Sequence, residues 1–183
     1  MTRRRRILPG AAAVVAVVAL AMLVSGCGRF GQSAPSVKAS AQQARKAMDD
    51  IVYYDVELLL VPTVVMRKTE GTVVVTSKQA TDMKAWLGRD LAVIERSARE
   101  LERLSSASSL GEPNADKLLA STSQWLNTVY LPAIRKAVAG VVVGRTLQTV
   151  EASLGAPWSG RTGEQAKNRI AALRAALEKK AGE

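Results

Sequence analysis

The chain has 183 residues, of which 48% are hydrophobic but only 4% are aromatic, and its formal charge is +10. It contains no histidine and one cysteine, which excludes histidine-based catalysis, histidine metal sites and an intrachain disulfide. The length suits one domain, whose core has to be built from Ala, Val and Leu. Because Ala and Leu favour helices, the composition predicts an all-α fold.

The N-terminal stretch has the pattern of an export signal. Four arginines, Arg3 to Arg6, precede an apolar run from Ala11 to Val24, which ends in Val24-Ser25-Gly26-Cys27. These last four residues resemble the lipobox of bacterial lipoproteins. The resemblance implies that residues 1–26 are a signal peptide, that the chain is cut before Cys27, and that a lipid on the Cys27 thiol holds the protein on a membrane.

Other interpretations of this stretch remain open from the sequence. An uncleaved membrane helix needs roughly 20 apolar residues, whereas Ala11 to Val24 supplies 14. A secretory signal cut elsewhere would leave Cys27 as a free thiol. The arginine run also resembles a twin-arginine signal, so the general secretory and twin-arginine routes both remain possible.

The remaining chain is moderately basic. Arg3 to Arg6 contribute four of the ten net positive charges, which leaves +6 after cleavage. This charge is spread along the chain, so it favours anionic lipid headgroups as a partner and disfavours nucleic acid. Residues 27–36 are predicted as a tether with a reach of roughly 30 Å. Residues 37–183 are predicted as a helical domain.

The first predicted helix runs from Ser36 to Val61. Apolar residues recur at three- and four-residue steps, and only Asp55 interrupts the stripe. Pro62 is expected to end or kink this helix. Beyond it, Thr63 to Met66 and Thr72 to Thr76 are β-branched runs around Gly71, which suits a small β-hairpin near 63–76. A helix that continues past Pro62 is the competing prediction.

Three further helical regions follow. The second helix is predicted from Ser77 to about Ser105, opened by a Thr76–Gln79 capping box and with one apolar face. Asn114 is expected to cap a third helix, which is interrupted near Pro132 and resumes from Ala133 to Leu154. Thr162 and Gln165 suit a capping box for the last helix. The predicted fold is therefore an up-and-down bundle of four to five helices.

Two groups of residues are candidate binding sites. Asp50, Tyr54 and Glu57 share one face of the first helix, where carboxylates beside a phenol suit a cationic partner; a merely solvated face is the competing interpretation. Trp158, in a loop, is the best candidate among the tryptophans for a contact site, whereas Trp86 and Trp125 are expected to fill the core. No cofactor or metal site is predicted.

The functional expectation follows from these features. We expect a non-catalytic lipoprotein on the cell membrane or outer membrane, facing the periplasm or the exterior, with the lipid on Cys27 as its anchor. Its helical domain would bind or scaffold another envelope protein. Three alternatives remain: an inhibitor of the immunity or entry-exclusion type, a small-ligand-binding bundle with a cavity between the helices, and an enzyme that uses the carboxylates from Asp49 to Glu57.

Overall fold

Helices make up nearly all of the part of the chain that the computed structural model describes, residues 36–67 and 74–182. The predicted signal peptide, Cys27 and all of the tether except Ser36 lie outside the described residues. The helical elements are α1 (Val37–Arg67), α2 (Ser77–Ser106), α3 (Pro113–Trp125), a π-helical turn (Leu126–Tyr130), α4 (Leu131–Ala139), α5 (Leu147–Gly155), a 3₁₀ turn (Ala156–Trp158) and α6 (Gly160–Gly182).

Four long rods form a ring of antiparallel neighbours, with α3, the π turn and α4 making up one of them. A polar contact links each pair of adjacent rods. Arg103–Gln43 joins α2 to α1, and Arg135–Glu95 joins α4 to α2. Arg169–Ser121 joins α6 to α3, and Arg174–Asp49 joins α6 to α1. The short helix α5 packs across α1 and α4. The predicted all-α, up-and-down bundle is confirmed.

The core is aliphatic, as the composition predicts. Helix α2 buries the whole predicted apolar face: Ala80, Met83, Leu87, Leu91, Ile94, Ala98, Leu101 and Leu104. Complete burial of one such large aliphatic side chain contributes roughly 1.5–3 kcal/mol. The Thr76–Gln79 capping box is also present, since the Gln79 amide donates to Thr76 Oγ1 at 3.3 Å and the Thr76 amide donates to Gln79 Oε1 at 2.8 Å.

The predicted β-hairpin near 63–76 is wrong in its first arm. Thr63 to Met66 are helical, because α1 continues through Pro62 to Arg67. A proline inside a helix costs roughly 3 kcal/mol, but burial of Val61, Val65 and Met66 offsets this. Gly71 lies outside the described residues, and Val74 forms an isolated antiparallel bridge with Thr146.

Three other boundaries differ from the predictions. Helix α3 begins at Pro113, so Asn114 lies inside it and Glu112 occupies the capping position. Helix α6 begins at Gly160, two residues before the predicted cap at Thr162. The segment predicted as helix from Ala133 to Leu154 contains a loop over residues 140–146, after which Thr146 caps α5 by accepting a hydrogen bond from the Thr149 amide.

Candidate functional site

Three aromatic side chains meet inside the bundle and form a triangle. The ring centroids of Trp125, Tyr130 and Trp158 lie 5.0–5.6 Å apart, and the ring planes are tilted by 38–57° to one another. Such geometry stabilises an aromatic pair by about 0.5–1.5 kcal/mol beyond the burial itself. The triangle holds three of the chain's few aromatic residues, and we call it the aromatic cluster.

Local backbone irregularities place these rings. Tyr130 ends the π-helical turn, which precedes Pro132 in α4. A proline ring clashes with the carbonyl four residues earlier in a regular α-helix, and a π turn relieves that crowding. Trp158 ends the 3₁₀ turn, and the backbone of Gly163 lies so close to it that a Cβ at Gly163 would overlap the Trp158 carbonyl group.

One carboxylate lies against the aromatic cluster. Asp55 of α1 is only 8% exposed, and its Oδ1 accepts two hydrogen bonds: from the Tyr130 hydroxyl at 2.6 Å and from Trp158 Nε1 at 3.1 Å. Burial raises the pKa of Asp55, and the two hydrogen bonds partly counteract this by stabilising the ionised form. No lysine or arginine in the described ranges forms an ion pair with it.

Tyr130 acts only as a hydrogen-bond donor in this arrangement. Its side chain is fully buried, and burial together with the adjacent Asp55 charge raises the pKa of the phenol far above its ordinary value. The hydroxyl therefore stays protonated at any pH at which the bundle works. Tyr130 therefore serves to hold the Asp55 carboxylate in place through a hydrogen bond.

Asp55 also lines a groove between α1 and α6. The groove has a volume of about 450 Å³, and its walls are mainly aliphatic, with the Trp158 ring at one side. The second oxygen of Asp55, Oδ2, receives no hydrogen bond from the described residues, yet it is not sealed off from solvent. Asp55 thus combines an oxygen that lacks a donor among these residues with a position in the lining of an apolar recess.

Two cations stand at the mouth of this groove, and each has its own acidic partner. Lys167 Nζ lies 2.7 Å from Glu164 Oε1, and Arg174 Nη2 lies 3.0 Å from Asp49 Oδ1. Both cations are exposed, so each pair is worth little individually. Asp49 is also shared with Arg45, whose Nε lies 3.8 Å from Asp49 Oδ2. The charges around the groove therefore balance when Asp55 is ionised, although Asp55 itself has no cationic partner among the described residues.

The predicted site residues separate into two groups in the structure. Asp50 and Glu57 face α2. Asp50 Oδ2 lies 3.5 Å from Ser97 Oγ. A hydrogen bond with Glu57 raises the pKa of Tyr53, and burial raises the pKa of Asp90, with a smaller contribution from the Glu57 charge. Tyr54 is half-buried against the core. Trp158 instead lies on the α6 side, so the structure does not bring it together with the other three.

Asp55 is the candidate site residue whose surroundings the sequence prediction missed. It appeared as an interruption of the apolar stripe, yet it occupies the same buried face as Ile51 and Leu58. The sequence could have indicated these surroundings through that position, because a charged side chain on the inward face of a helix needs a buried hydrogen-bonding partner. Its partners lie 75 and 103 residues away along the chain, so only the tertiary fold identifies them.

The outer face of α1 carries a second notable feature. Tyr53, Val56, Leu60 and Val64 are between 42% and 59% exposed and follow one another at three- or four-residue steps. We call these four residues the α1 apolar stripe. Trp86, which was expected in the core, is 40% exposed and shares a surface groove with Val64. Exposed apolar surface that is contiguous in this way is typical of interaction sites.

Within residues 36–67 and 74–182, no helix is long and apolar enough to cross a membrane, and no group of three or more acidic or other ligating side chains is placed to hold a metal ion. Comparisons with protein-family models, with curated proteins and with solved structures found no match.

Proposed function

We propose that the chain is a non-catalytic lipoprotein of the cell envelope, anchored through a lipid on Cys27, and that its α1 apolar stripe binds another envelope protein. The observation that carries this proposal is the uneven distribution of exposed large hydrophobic side chains. Ten such side chains occur in the described ranges, and only Val37 lies at the N-terminal end of α1.

The position of the stripe fits a domain that is tethered at one end. A chain anchored at Cys27 enters the bundle through the first residues of α1. Along a helix with a rise of about 1.5 Å per residue, the stripe begins roughly 24 Å from Val37 and ends roughly 40 Å from it. The half of the bundle farther from the first residues of α1 is thus the half that offers more exposed apolar surface.

A protein fits this surface better than a bilayer does. The stripe has the spacing with which an amphipathic helix places its side chains into the groove of a partner. Exposed Glu57 lies beside the stripe, and Asp90 lies close to Glu57 on the neighbouring helix. These carboxylates oppose the negative surface potential of anionic lipids. The absence of histidine from the sequence and the high pKa of Tyr130 support a binding role over catalysis.

Site-specific photo-crosslinking in the native envelope tests this proposal. A photoreactive residue at Leu60 is expected to capture one protein in stoichiometric amount, whereas the same residue at Val37, which is exposed to a similar degree, is expected to capture none. Leu60→Glu should abolish co-purification of that protein, and Val37→Glu should leave it unchanged. Cys27→Ala should release the chain from the membrane fraction and remove the crosslink.

The outcomes separate the alternatives. Equal capture at Leu60 and Val37, or capture of lipid at Leu60, would overturn the proposed protein-binding role of the stripe. A captured toxin or transfer component would identify the inhibitor type of lipoprotein, and a structural envelope protein would identify a scaffold. Membrane retention of a Cys27→Ala chain from which the signal peptide has been removed would refute the lipid anchor without bearing on the stripe.

A further inference from the structure

The groove between α1 and α6 supports an inference that does not depend on the proposed protein partner. We propose that this groove binds a small apolar molecule that carries one protonated amine, with Asp55 Oδ2 as the acceptor for its N–H groups. Only Val56 belongs to both the groove and the α1 apolar stripe. The two surfaces can therefore be tested separately.

Asp55 has an oxygen that no donor in the described ranges satisfies. Asp55 is held in place by Tyr130 and Trp158, which both donate to Oδ1, so the carboxylate cannot turn away from the groove without losing a buried hydrogen bond. Its other oxygen has no protein donor in the part of the chain that the structure describes. A buried carboxylate is costly unless a cation or further donors match it, and an ammonium group in the groove would supply both.

The shape and lining of the recess suit a small apolar molecule. A volume of about 450 Å³ lies within the range of about 300–1,000 Å³ that is typical of small-molecule sites. Ile51, Val52, Leu59 and Ile170 provide aliphatic walls, which suit the body of an apolar molecule. Trp158 also lines the recess and adds aromatic surface to its apolar wall.

Two other classes of ligand match the groove less well than an organic cation does. An anionic amphiphile would meet the ionised Asp55 and would have to draw Lys167 and Arg174 away from Glu164 and Asp49. A hard metal ion such as Mg²⁺ or Ca²⁺ requires six or more oxygen ligands, and Asp55 is the only carboxylate that lines the groove. An organic monocation matches the single free oxygen.

The test is a titration of the full-length protein with matched small molecules, followed by the NMR signal of the Trp158 indole N–H. The panel pairs phenylethylamine, tryptamine and cyclohexylethylamine with the corresponding alcohols, and adds phenylpropionate as the anion. Each amine is expected to bind at least tenfold more tightly than its alcohol, and phenylpropionate is expected not to bind.

Three variants assign the effect to the groove. Asp55→Asn keeps an oxygen acceptor for Tyr130 and Trp158 but removes the charge, so it should weaken amine binding at least tenfold and leave alcohol binding unchanged. Ala171→Phe places a bulky ring in the groove from an exposed position and should block both classes. Asp50→Asn, on the α2 side of the same helix, is the matched control and should bind amines like the wild type.

Several results would overturn the inference. They are the absence of a shift of the Trp158 signal with every amine, equal affinity for amines and alcohols, a preference for phenylpropionate, and undiminished amine binding by Asp55→Asn. Crosslinking at Leu60 is a separate measurement, so failure here leaves the proposed protein partner standing, and the reverse also holds.

Discussion

The hydrogen bond between Tyr130 and Asp55 provides the sharpest test of the site geometry. Tyr130→Phe deletes the hydroxyl that lies 2.6 Å from Asp55 Oδ1 and leaves Trp158 Nε1 at 3.1 Å as the only donor to that oxygen. Because Tyr130 is fully buried, water cannot replace the lost donor without disturbing the aromatic cluster. The ring itself keeps its packing against Trp125 and Trp158.

The expected magnitude follows from the ionised acceptor. A hydrogen bond to a charged group contributes about 1.5–3 kcal/mol, so Tyr130→Phe should lower the free energy of unfolding by about that amount at pH 7. At about 2–4 °C per kcal/mol for a domain of this size, the melting temperature should fall by roughly 3–12 °C. Loss of the donor also raises the pKa of Asp55 further, so the destabilisation should shrink towards acidic pH, where Asp55 becomes neutral.

Thermal and urea unfolding, followed by far-UV circular dichroism at pH 7 and pH 4, measure both effects. Tyr53→Phe is the matched control, because it removes the same hydroxyl from a tyrosine that is 59% exposed, and it should not change the melting temperature measurably. A loss below about 0.5 kcal/mol in Tyr130→Phe, where charged hydrogen bonds typically contribute several times more, would refute the reasoning. So would a loss that is equal at the two pH values.

Three other predictions concern stability. Gly163→Ala should lower the free energy of unfolding by about 1–3 kcal/mol and shift the Trp158 fluorescence, because the added methyl group forces the Trp158 carbonyl away. Gly88→Ala, in an open position of α2, should raise it by about 0.5–1 kcal/mol. The same urea titrations check both changes. Burial raises the folded-state pKa of Asp55, so its contribution to stability is complete below the unfolded value of about 4 and is lost as pH rises through the folded value. The stability of Asp55→Asn relative to the wild type should therefore increase from pH 4 to pH 7. A flat difference would mean that the hydrogen bonds from Tyr130 and Trp158 fully offset the effect of burial on the Asp55 pKa. Thr76→Ala should cost about 1 kcal/mol through loss of the capping box, with Ser77→Ala as the control at an exposed position, and equal effects of the two changes would contradict the cap.

The local sequence pattern was sufficient to predict a helix where a single type of signal dominated the segment. Helix α2 combines a capping box with an uninterrupted apolar period from Ala80 to Leu104, so both its start and its buried face could be predicted. Helix α1 could not, because two local signals opposed its true length: Pro62 and the β-branched run that follows it. Tertiary burial of Val65 and Met66 decided the outcome, and burial is not visible in a short window of sequence.

The candidate site illustrates the same limit more strongly. Asp55 could be recognised from the sequence as an exception, because it interrupts an apolar stripe. Its meaning depends on Tyr130 and Trp158, which a π turn and a 3₁₀ turn bring to it. Neither turn has a sequence signature that fixes the direction of its aromatic side chain. The predicted group of Asp50, Tyr54 and Glu57 stays a prediction as a binding site, and Asp50 lies towards α2, away from the groove.

The continuity of α1 has a mechanical consequence. Helix α1 runs for 31 residues without a break, from the tether side to the far end of the α1 apolar stripe. If a lipid at Cys27 holds one end and a partner holds the other, tension between membrane and partner passes along this one helix. Its flanks bear that tension as shear against α2 and α6, a direction in which many side-chain contacts have to break together. Extension of the tether or dissociation of the partner would then precede unfolding of the bundle.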